Sequence, residues 1–199
     1  MPFFAIKGTF HVTGYSPDGD SIRFKANNKS RWNLLSGRKV KLNAKEHAQL
    51  RIEAIDTLET HYKQEHQPLD FADKATKRLF KLLGIKNVKW NDKRSKVISA
   101  ADGIAGYILA RMAERYGRPV CFVFDSSMGW TDGQGIHLDK AKAKKSVNFK
   151  MLRAGLAYGN ILSSFPQIMK FKRRGYKLWI WKLISRVVNK SLRLITVSR

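Results

Sequence analysis

Polar and apolar side chains alternate through Ser21-Ile22-Arg23-Phe24-Lys25, the period of a strand with one face in a core. The preceding Ser16-Pro17-Asp18-Gly19 has turn chemistry, with proline presetting φ and glycine accepting a positive φ. Phe10 to Lys25 is therefore expected to be two extended pieces around a turn. Alternation returns from Gln49 to Asp56. One face would carry Leu50, Ile52, Ala54 and Asp56, the other Arg51, Glu53 and Ile55. From Pro68 to Leu83 the period lengthens. Ala72, Ala75, Leu79 and Leu82 recur at spacings of three and four, which predicts a helix with one apolar stripe. Asp70 and Asp73 fall near its positive end, Lys77, Arg78 and Lys81 near its negative end, and Gly84 stops it. Ile85 to Trp90 reads as a short strand. Gly106 to Ala113 and Pro119 to Phe124 read as a hairpin around Glu114-Arg115-Tyr116-Gly117. A polar loop follows from Asp125 to Gly135, and Ser146 is a good N-cap for a second helix, Val147 to Ala154, closed by Gly155. Five or so short strands interrupted by one helix predict a small closed barrel rather than a βαβ sheet.

Charge adds a partner to this picture. The 199 residues suit one domain with an extension. Of a net +24, the segment from Lys140 to Arg199 carries +16, with 16 Lys and Arg and no Asp or Glu. Such a field attracts polyanions, so nucleic acid or an anionic membrane is the expected partner. The single cysteine, Cys121, lies in an apolar strand pattern and cannot form an internal disulfide. No run reaches the ~18 apolar residues of a membrane span. Met1 to Phe10 lacks the pattern of a signal peptide, so none is expected in this sequence.

Three segments bring in candidate chemistry: Asp18-Gly19-Asp20, Arg51 through Asp56-Thr57-Leu58-Glu59, and Tyr116-Gly117-Arg118. Asp20 and Asp56 could hold a hard divalent cation, Glu59 could take a proton from water, and Arg51 and Arg118 could grip a phosphate. Together they would make a metal-assisted phosphodiesterase. Each piece also has a plain reading. Asp-Gly-Asp is commonly a turn, Asp56 to Glu59 could cap a helix, Arg51 and Glu53 could pair across a sheet, and Tyr-Gly-Arg is a common hairpin. The five histidines show no paired metal spacing on a clear helix.

Taken in order, these pieces resemble the staphylococcal nuclease (thermonuclease) family. Asp18-Gly19-Asp20-Ser21 is similar to its D-G-D-[TS] turn, and Leu50-Arg51-Ile52 through Asp56-Thr57-Leu58-Glu59-Thr60 to its R-L…D-T-P-E-T segment. Tyr116-Gly117-Arg118 is similar to its Y-G-R hairpin, and Val147-Asn148 through Gly155-Leu156-Ala157-Tyr158 to its second helix. The resemblance covers roughly residues 8 to 180. It implies an α+β protein with a five-stranded OB-fold β-barrel and about three helices, spanning residues 1–181, with a basic C-terminal extension at 182–199. It implies a calcium-dependent endonuclease acting on DNA and RNA, single strands favoured, with 3′-phosphorylated products. By resemblance Asp20 and Asp56 would be Ca2+ ligands and Thr57 would add its carbonyl. Glu59 would be the general base, and Arg51 and Arg118 would bind the scissile phosphate. Tyr116, Tyr158 and Arg115 would contact the nucleotide. A monomer is expected, and the cytoplasm by default, although many members of that family are exported.

The chain departs from the family pattern in four places. Leu58 stands where proline is usual, extra residues fall in the Asp92 to Gly103 region, and Asp125 to Ala143 has no family counterpart. Pro166 to Gly175, the third-helix segment, is short of acids and alanines. Lys140-Ala141-Lys142-Ala143-Lys144-Lys145 reads as a solvated run that could track a phosphate backbone. The end of the chain mixes Trp179, Trp181, Leu183 and Ile184 with Lys182 and Arg186. It is expected to pack on the barrel to about Trp181, with a basic amphipathic helix on anionic lipid or on nucleic acid as the lesser reading. A non-catalytic OB-fold protein holding single strands is the alternative function.

Overall fold

A computed structural model of the chain describes residues 2–57 and 69–159. In chain order its strands are β1 (Phe3–His11), β2 (Ser21–Ala26), β3 (Ser36–Gly37), β4 (Ala48–Ile52), β5 (Ile55–Asp56), β6 (Lys86–Trp90), β7 (Val97–Ala101), β8 (Ile104–Ala113), β9 (Pro119–Asp125), β10 (Gly135–Ile136) and β11 (Tyr158–Gly159). The α-helices are α1 (Leu69–Leu83), α2 (Lys140–Lys145) and α3 (Val147–Arg153).

Five strands close on one another. β1 pairs with β2, β2 with β4, β4 with β9, β9 with β8, and β8 returns to β1. The β4–β9 pairing is parallel and the other four are antiparallel. This is a closed α+β barrel consistent with an OB-fold. β1 runs between β2 and β8, whose backbones approach it from either side. Gly8 faces Gly106 there. A Cβ on Gly8 would sit 2.1 Å from the Lys25 carbonyl oxygen, and one on Gly106 would sit 2.5 Å from the Phe10 ring. Two glycines in strands otherwise built for packing mark this close approach of backbones.

Ile6, Phe10, Ile22, Phe24, Leu50, Ile52, Ile108, Cys121 and Val123 fill the barrel. Ala75, Leu79 and Leu83 of α1 and Val147, Met151 and Leu152 of α3 belong to the same core. A second cluster lies on the outer face of β8 and β9, where Tyr107, Leu109, Phe122 and Phe124 meet Ile136, Leu138 and Ala143. Trp130 stands edge-on to Phe124 at 4.9 Å and to Tyr107 at 5.8 Å. The segment after β9 is thus a cover for an apolar face, and β9 is apolar from Pro119 to Phe124 because both its faces are buried there.

Most expected elements form, with instructive differences. The strand expected through Asp56 breaks after Ile52, because Ala54 takes φ 62° and Glu53 and Ala54 turn the chain. Glu53, Ala54 and Ile55 are all buried and Asp56 is exposed, which matches neither expected face. Gly19 does not use the positive φ expected of its turn; Gly14 does, at 91°. The run from Lys140 is helix α2, capped by Asp139, whose side chain accepts from the Lys142 backbone N–H. The extra residues near Asp92 form a β6–β7 hairpin outside the barrel. α1 and α3 match expectation closely: Gly84 at φ 79° ends the first, and the Ser146 side chain accepts from Phe149 N in the second. The expected third-helix segment and the boundary at 181/182 lie outside the described residues.

Candidate active site

The Asp18-Gly19-Asp20 turn is pinned from three sides. Upstream, Asp102 Oδ2 accepts the backbone N–H groups of Val12 and Thr13 at 2.7 and 2.8 Å. Val97 of β7 exchanges backbone bonds with the same segment, accepting from Gly14 N at 2.9 Å and donating to Tyr15 O at 3.0 Å. At the turn, Gly19 lies so close to α1 and Thr57 that a Cβ would meet Ala75 Cβ and Thr57 Cγ2 at 2.8 Å each. Downstream, Ile52 N donates to the Asp20 carbonyl at 3.1 Å.

This pinning crowds carboxyl groups. Asp20 Oδ2 accepts from Thr57 N at 3.4 Å, with Asp18 in carboxyl–carboxyl contact and Asp56 close enough to repel it. Burial first, then Asp18, then Asp56 push the Asp20 carboxyl up to about 8. Asp18 Oδ1, Ser21 Oγ and Thr57 Oγ1 are buried in this region without a hydrogen-bond partner. Unpartnered buried oxygens beside like-charged acids suit a hard, oxygen-seeking cation. Among the described residues, however, no group of three or more His, Cys, Asp or Glu is arranged to hold a metal ion. A cation here would therefore draw on backbone oxygen and water besides Asp20 and Asp56.

Arg51 stands on β4 opposite Ser21 of β2 and Val120 of β9. Leu50 and Ile52 point into the barrel, so Arg51 points outward, and it is half-buried. Arg118 precedes β9 by one residue and shares the parity of Val120, which places it on the same outer face as Arg51. Glu114 holds it, with Oε1 accepting from Arg118 Nε at 3.0 Å. Tyr116 is 58 % exposed at the hairpin tip, with Arg115 over its ring at 4.6 Å and Arg118 at 5.7 Å. Asp56 and Tyr158 are backbone partners, since β5 and β11 pair at those residues. Glu59 lies outside the described residues.

Three participants were not singled out from the sequence. Asp18 read as turn chemistry, yet it supplies a carboxyl to the crowd. Glu114 read as hairpin, yet it orients Arg118. Glu53 is 7 % exposed and in no ion pair with Arg51; burial pushes it up to about 7, against Arg111 and then Arg51. Its backbone is clamped, donating to Cys121 O at 2.8 Å and accepting from Asn148 Nδ2 at 2.7 Å. Only Asp18 carried a signal, its place in an Asp-x-Asp pair.

No family model and no curated protein matches the chain.

Proposed function

We propose that the chain is a calcium-dependent endonuclease of the staphylococcal nuclease kind, hydrolysing phosphodiester bonds of DNA and RNA to 3′-phosphorylated products. The observation that carries this reading is the crowding of Asp18, Asp20 and Asp56 beside the strand that bears Arg51. Carboxyls packed this way repel one another unless a proton or a cation intervenes. Asp20, Asp56 and the Thr57 carbonyl are the ligands this chain would offer to Ca2+, with water completing the shell. Calcium bound there would act as a Lewis acid toward a phosphoryl oxygen.

The other steps belong to the chain's own residues. Arg51 and Arg118, on one outer face, would bind two oxygens of the scissile phosphate and stabilise the charge that gathers on them. Glu59 would accept the proton of the attacking water, and the 5′-oxygen would leave with a proton, so the phosphate stays on the 3′ side. Tyr116, Tyr158 and Arg115 would contact the nucleotide.

A second reading is a non-catalytic single-strand binder. The exposed Tyr116 ring between two arginines favours it, since such a ring can stack a base. Single-stranded DNA incubated with calcium, then with chelator, separates the two. Cutting only with calcium, lost in Asp20→Asn, supports the nuclease. Salt-sensitive retention without cutting supports the binder and overturns the nuclease. Binding to anionic liposomes with indifference to DNA overturns both; no described helix is long and apolar enough to cross a membrane.

A further inference from the structure

The β6–β7 hairpin is not part of the barrel, and a groove of about 450 Å³ separates it from α1. Its floor is apolar, with Phe80, Ile85 and Trp90 among the lining residues. Register shifts between Lys86 and Lys89 and between Lys89 and Trp90 interrupt the hairpin ladder. Bulges of this kind re-aim side chains, and they leave Trp90 packed against the core while still lining the groove. The rim is cationic. Asp73 already bridges α1 to the hairpin, binding Lys77 at 2.5 Å and Arg94 at 2.8 Å. Lys81 and Lys86, also on the rim, are in no ion pair among the described residues.

We propose that this groove binds a segment of single-stranded nucleic acid, with a base on Trp90 and phosphates on Lys81 and Lys86. An aromatic floor under a cationic rim is the chemistry that holds unstacked bases and their backbone. The volume falls within the ~300–1,000 Å³ of small-ligand sites, enough for a nucleobase and its sugar. The chain's own end is a poor occupant, because residues 140–199 hold no Asp or Glu and would be repelled by the rim. The position also suits a substrate strand. Ala75 of α1 touches the Asp18–Asp20 turn, and Lys81 is six residues further along, ~9 Å of helix rise. Val97 of the hairpin is bonded to the chain leading into that turn. A strand cut at the acids would reach the groove within a few nucleotides.

This inference rests on the reading of the chain as a nucleic-acid enzyme, but its test is run in chelator, so loss of cutting and loss of groove binding are separate results. Binding of fluorescent dT3 and dT12 is measured by anisotropy over a salt series. K81E/K86E is expected to weaken dT12 by about tenfold and to lower the slope of log K against log salt by ~1.4, for two phosphate contacts. K7E/K45E makes the same charge change on exposed residues outside the groove and is expected to weaken dT12 by less than about threefold. W90L, which keeps an apolar filling, is expected to weaken dT12 by about fivefold or more. Equal weakening by both charge variants would reduce the groove to part of a general field and overturn the proposal. So would an unchanged dT12 affinity in K81E/K86E or in W90L.

Discussion

Glu114 holds Arg118 within one hairpin turn: a single oxygen, Oε1, accepts from Arg118 Nε at 3.0 Å, from Arg118 N at 3.3 Å and from Tyr116 N at 3.1 Å. The carboxylate therefore shapes the turn and aims the guanidinium together. Binding through Nε leaves the two terminal nitrogens of Arg118 for a phosphate, the fork geometry that arginine brings to such oxygens.

Glu114→Ala should separate aiming from folding. Hydrogen bonds to charged groups are worth about 1.5–3 kcal/mol, so urea unfolding should show a loss in that range. Cleavage of DNA should fall about tenfold or more, chiefly in kcat, because the phosphate fork would be misplaced in the transition state. Full activity with the expected loss of stability would show that Glu114 only builds the turn.

Gly19→Ala tests the close approach at the acid turn. The new methyl would meet Ala75 and Thr57 at 2.8 Å, and overpacking of this kind costs about 1–3 kcal/mol. Because Thr57 N also donates to Asp20, calcium affinity by titration calorimetry should weaken with stability. Unaltered calcium binding in a destabilised variant would detach the turn's packing from the metal reading.

Glu53 should make stability fall as pH rises. Its folded pKa of about 7 lies above the 4.5 of an unfolded glutamate, so the folded state holds a proton that the unfolded state has lost. Its contribution is complete below pH 4.5 and disappears as pH climbs through 7. Glu53→Gln should therefore gain stability over the parent at pH 8 and little at pH 4.5, measured by urea unfolding at both. Equal differences at the two pH values would mean that the folded and unfolded chains release this proton at the same pH, and that burial does not shift Glu53.

His47 acts with the opposite sign. It stacks on His11 with ring centroids 4.1 Å apart, and burial, then the His11 charge, then Arg23, lower it from 6.5 to about 4. The unfolded chain takes up the proton first, so this contribution is present above pH 6.5 and is lost as pH falls toward 4. An NMR titration should place the His47 midpoint near 4, and His47→Gln should flatten the acid limb of the stability curve. A midpoint near 6.5 would show that the stack does not exclude the charged ring.

Local pattern made much of the architecture legible. The helical spacing from Ala72 to Leu79, the Ser146 cap, the Gly84 stop and the alternation of β2 each depend on a few neighbouring residues, and each is present. The order of short strands was enough for a closed barrel. The motif residues Asp20, Arg51, Asp56 and Arg118 could be named from the sequence because their types and order resemble a known pattern.

The residues read alone show where the chain extends, coils and turns, and which side-chain types are available for phosphate and metal chemistry. That Asp18 crowds Asp20, that Gly19 is needed for contact with α1 rather than for its φ, and that Glu53 is buried by a turn at Ala54 emerge from the folded arrangement alone. The physical reason is range. Periodicity and capping are set by residues a few positions apart, whereas a carboxyl's burial and charge depend on partners such as Thr57, 37 residues from Asp20, or Asp102, 90 residues from Val12.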